Sequence, residues 1–112
     1  MSKKLSTDKS NQRTDLGYLG TDFQYKLVKL FIEDTTFFTQ INSIVDQNMF
    51  TEDTLRRIVG FIKDRYNDSG VPPSYVDLEL YVRTKVYDVI TIDTILSTIN
   101  LMREADLIGQ DI

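Results

Sequence analysis

From Asp22 onward the apolar residues fall into rows with the period of a helix. Phe23, Leu27, Leu30 and Phe31 recur at i, i+4, i+7 and i+8, with Gln24, Lys26, Lys29 and Glu33 off that row and Thr21 or Asp22 as the cap. Asp34-Thr35-Thr36 breaks the row with side chains that compete for backbone groups. A second helix is expected to start there, to bury Phe37, Phe38, Ile41, Ile44 and Val45, and to end near Asp46-Gln47-Asn48. Thr51 is the expected N-cap of a third helix, with Glu52 and Asp53 at the positive end of its dipole. Its row, Leu55, Ile58, Val59, Ile62 and Tyr66, is the clearest in the chain; Arg56, Arg57, Lys63 and Asp64 fall opposite, and Asp53 with Arg57 makes a favourable i, i+4 pair. Asn67-Asp68-Ser69-Gly70 stops that helix and Pro72-Pro73 prevents its continuation. Ser74 and Asp77 form a variant of the capping box, opening a fourth helix with Tyr75, Leu78, Tyr81 and Val82 on its apolar side.

Val86 to Ile92 is β-branched and short enough for a strand, but no second strand is available to pair with it, so it is read as a connection that includes an N-terminal turn. Ile92, Ile95, Leu96, Ile99 and Met102 then mark a fifth helix running to about Leu107. The pattern predicts an all-α domain, a compact bundle of about five to six helices. Ahead of it, residues 1–21 are rich in Ser, Thr, Asp, Lys and Asn, and are expected to form a flexible polar leader; 22–112 is the helical domain.

Composition narrows the chemistry. The 112 residues suit one domain, and 41% of them are hydrophobic, enough for a core. The chain has neither cysteine nor histidine, which removes disulfides, thiolate nucleophiles, the commonest metal ligand and the commonest general base. No apolar run approaches the roughly 20 residues that span a bilayer, and Met1-Ser2-Lys3-Lys4-Leu5-Ser6 does not open a signal peptide but reads as a natural start. A cytoplasmic location is expected. The net charge of −4 is unevenly placed: residues 1–21 hold four basic and two acidic residues, whereas 22–112 hold nine basic and fifteen acidic. Since phosphate contacts supply most non-specific affinity for nucleic acid, an acidic body is not expected to bind DNA strongly by itself.

None of the five glycines opens a phosphate-binding loop, and no acidic cluster has the spacing of a calcium loop. No catalytic, cofactor or metal site is therefore expected. Most aromatic residues sit on core rows. Tyr25 lies off the row of its helix, and Phe61 sits at the edge of the row around Ile62. Both either flank a wide apolar face or contact another protein, where Tyr and Phe are enriched. Arg56 and Arg57 either form a solvated face or meet an acidic partner. Tyr25, Arg56, Arg57 and Phe61 are the candidate interface.

The order of these parts resembles the amino-terminal domain of DnaB-type replicative DNA helicases, particularly phage versions. The resemblance runs over about residues 22–82: the row Phe23 to Phe31, Phe37-Phe38 to Val45, Met49-Phe50, Leu55-Arg56-Arg57-Ile58-Val59-Gly60-Phe61-Ile62, Tyr66, and Gly70-Val71-Pro72-Pro73 to Leu78. The family's usual Glu in the first helix and the His common in the following helix are absent here, which points to a divergent relative. The resemblance implies a non-catalytic collar that self-associates and offers a surface to primase or a helicase loader. ATP and Mg would belong to a motor domain that this chain does not contain. It also implies a helical hairpin beginning at about residue 91. A stand-alone phage adaptor or loader, or a primase helicase-binding-type domain, is the alternative.

Overall fold

The computed structural model describes residues 20–104. Almost all of the expected leader, and the end of the fifth helix at about Leu107, lie outside the described residues. Five α-helices follow one another: α1 Gly20–Glu33, α2 Thr35–Ile41, α3 Asp53–Ser69, α4 Tyr75–Lys85 and α5 Val89–Glu104, with a single 3₁₀ turn, Gln47–Met49, between α2 and α3. Among the described residues there is no strand, as the all-α expectation has it.

Helix α3 is the axis of the domain. Its row Leu55, Ile58, Val59 and Ile62 is wholly buried, and α1, α4 and α5 all pack against it. Gly70 ends it in the left-handed region at φ 78°, its N–H returning to the Tyr66 carbonyl at 2.7 Å. The Pro72-Pro73 turn then leads into α4, which opens on the expected capping box: the Asp77 N–H donates to Ser74 Oγ at 3.1 Å and the Ser74 N–H to Asp77 Oδ2 at 3.4 Å. Phe31, Phe38, Phe50, Leu78, Ile95, Ile99 and Met102 complete the core around α3.

Five local expectations are corrected. The buried face of α1 is Gln24, Val28, Lys29, Phe31 and Ile32, one residue round from the expected row, and Phe23 is exposed. Polar residues can take that face because both are bonded. Gln24 accepts from the Thr51 N–H at 3.0 Å and donates to Thr51 Oγ1 at 3.1 Å, and Lys29 donates to the Arg103 carbonyl at 2.7 Å. With α1 starting at Gly20, Thr21 and Asp22 lie within its first turn rather than at its cap. Helix α2 stops at Ile41, so Ile44 is exposed although Val45 is buried. Thr51 does not cap α3: Glu52 holds that position without a side-chain cap bond, because Thr51 is engaged by Gln24. Finally, α5 begins at Val89, since the Asp88 carboxylate accepts from the Thr91 N–H at 2.9 Å and caps the β-branched run as helix.

Candidate interaction surfaces

The four candidate residues make different contacts, although Arg56 and Arg57 share Asp53, each at 3.5 Å. Tyr25 and Arg56 meet at the segment that leads into α3. The Tyr25 hydroxyl donates to Glu52 Oε1 at 3.2 Å, and Arg56 Nη1 donates to the carbonyls of Phe50 at 3.0 Å and Thr51 at 3.1 Å. Burial, and then the neighbouring Glu52 carboxylate, push the Tyr25 phenol up. Both side chains therefore fasten this segment to α1 and α3. Arg57 and Phe61 lie one turn apart on α3. Arg57 Nε pairs with Asp53 Oδ2 at 3.5 Å and lines a shallow depression with Ile90, Thr91 and Thr94 of α5. Phe61 is half-buried and meets Tyr81 of α4 edge-on, ring centroids 6.1 Å apart.

A polar cluster that the sequence pattern does not single out joins α1, α4 and α5. Lys29 pairs with Glu33 at 2.9 Å, Tyr75 donates to Glu33 at 2.5 Å, and Arg103 stacks over the Tyr75 ring at 5.1 Å while reaching Glu79 at 3.5 Å. Burial of Glu33 opposes its charge, but the Tyr75 hydroxyl and the Lys29 ammonium outweigh it and hold the carboxyl below its ordinary value. Burial, and then Glu33, push the Tyr75 phenol far up. Each member has a partner within the cluster, so its chemistry is that of a clamp. Among the described residues no three acidic side chains gather as a metal site would need, and no helix is long and apolar enough to cross a membrane.

No family model, curated protein or solved structure matches this chain. The surface itself is then the guide, and its unusual feature is apolar. Val76, Leu80, Tyr87, Val89, Ile90 and Leu101 are all exposed, between 57% and 90%, although α4 and α5 already bury Leu78, Val82, Ile95, Ile99 and Met102 on their inner sides. Both helices carry apolar residues on two faces. The signal lies in Tyr75-Val76-Asp77-Leu78-Glu79-Leu80-Tyr81-Val82, which holds more apolar positions than one helical row can take.

Proposed function

We propose that this chain is a non-catalytic interaction domain acting as the amino-terminal collar of a DnaB-type replicative helicase, self-associating and offering a surface to primase or a loader. The observation that carries the interaction role is the number of exposed apolar residues on α4 and α5, Val76, Leu80, Val89, Ile90 and Leu101, since apolar surface on a domain whose core is already filled marks a place for another protein. The replicative assignment is supported by the ordered resemblance over residues 22–82. Oligomerisation and partner contact need no reactive group. ATP and Mg belong in this account to a separate motor domain.

Sedimentation velocity on the chain mixed with a matching primase tests the proposal. A co-migrating complex supports it, and independent boundaries at micromolar concentrations contradict it. A complex with an intact helicase ring in place of primase would assign the chain to the adaptor or loader class.

A further inference from the structure

Helix α4 is apolar on two sides. Leu78 and Val82 face the core and are fully buried, while Val76 and Leu80 are 57% and 58% exposed. Val76, Leu80 and Arg83 stand at i, i+4 and i+7, a spacing that puts them along one outer row. Leu80 also lines a shallow groove against α3, together with Tyr81, Thr84, Arg65 and Asp77. The acid in that groove is occupied, because the Asp77 carboxylate accepts the Ser74 N–H in the capping box.

Lys29, Arg56, Arg57 and Arg103 each have a carboxylate within 3.5 Å. Five of the described cations lack a carboxylate partner among the described residues, and three of them, Arg65, Arg83 and Lys85, stand at this face; Lys26 lies on α1, and Lys63 donates to the Asn42 carbonyl at 2.7 Å. Lys85 lies over the Tyr81 ring at 5.3 Å. In a chain of net charge −4, unpaired positive charge is thus gathered beside an exposed apolar row. Asp64 and Asp68, exposed on α3 on either side of Arg65 in sequence, break the positive charge into separate points, which suits spaced carboxylates better than the continuous charge of nucleic acid.

We infer that the outer row of α4 and its groove against α3 receive an acidic amphipathic helix from a partner protein. An apolar stripe on that helix covers Val76 and Leu80, and its flanking carboxylates meet Arg83, Arg65 and Lys85. This rests on the interaction-domain reading above and names the partner's chemistry.

The test uses the full chain and a fluorescein-labelled synthetic amphipathic peptide of about five helical turns, with leucines at helical spacing and glutamates on its flanks. A second peptide carries lysines in place of the glutamates. Fluorescence anisotropy should show the acidic peptide binding at least about tenfold more tightly than the basic one, with Leu80→Ser and Arg83→Glu each weakening it about tenfold. Both side chains are exposed, so the melting temperature should stay unchanged. Equal binding of the two peptides, or binding indifferent to both substitutions, would overturn the inference. So would self-association of the chain that Leu80→Ser abolishes, which would give this face to a second copy. Primase binding that survives both substitutions defeats the inference and leaves the helicase proposal standing; specific capture of the acidic peptide without primase binding does the reverse.

Discussion

Replacing Phe38 by alanine tests the packing of the domain where it is most concentrated. The ring is fully buried, its centroid 4.5 Å from Phe31 of α1 and 4.8 Å from Tyr66 of α3. Truncating a buried Phe costs about 3–5 kcal/mol, from lost transfer energy and the cavity left behind. Each aromatic contact adds about 0.5–1.5 kcal/mol beyond its area. A loss of about 4 kcal/mol is therefore expected, a large part of the roughly 5–15 kcal/mol that holds a domain together, and a fall of roughly 15–30 °C in melting temperature at about 4–8 °C per kcal/mol. The control is next in the chain. Phe37 is only half-buried, and Phe37→Ala should cost about 1 kcal/mol. Urea denaturation of both variants, followed by far-UV circular dichroism, gives the comparison. Equal losses, or a larger loss for Phe37→Ala, would mean that α2 docks by a different face and would refute the reasoning.

Lys29→Met keeps the apolar stem but removes the ammonium that holds the Arg103 carbonyl and Glu33, and should cost about 1.5–3 kcal/mol in the same denaturation experiment; a loss below about 0.5 kcal/mol would show that the clamp contributes nothing. Gly70→Ala forces a side chain into the left-handed region at φ 78° and should cost about 1–2 kcal/mol, which an unchanged urea midpoint would contradict. The phenols of Tyr25 and Tyr75 titrate higher in the fold than in the unfolded chain, so the stability they confer is complete below pH 10 and is lost as pH rises through their folded values. Tyr75→Phe should flatten that alkaline decline in melting temperature, and an identical decline in the variant would refute the role of the cluster. Glu33 acts with the opposite sign: its stabilisation is present above its ordinary value of 4.5 and fades as pH falls through the lower folded value, so Glu33→Gln should reduce the acid sensitivity of melting.

What was legible in the sequence was local. The row of α3, the Gly70 stop and the Ser74 and Asp77 capping box depend on residues within a few positions of one another, and all three stand in the structure. The buried face of α1 was not legible, because the partners that permit Gln24 and Lys29 to be buried lie 27 and 74 residues away. The start of α5 had a local signal, Asp88 three residues ahead of Thr91, masked by the β-branched run that suggested an extended segment. Arg56 resembled a solvated charge, yet its guanidinium holds two carbonyls of the segment before α3. The outer row of α4 was hidden by excess, since so many apolar residues in one short helix made the inner row look sufficient.

The central claim is that this domain assembles. Static light scattering on the chain alone, over a concentration series, is its most direct test. The account predicts a mass above the 13.0 kDa of one chain that rises with concentration toward a defined oligomer; a constant 13.0 kDa across the whole series would contradict it.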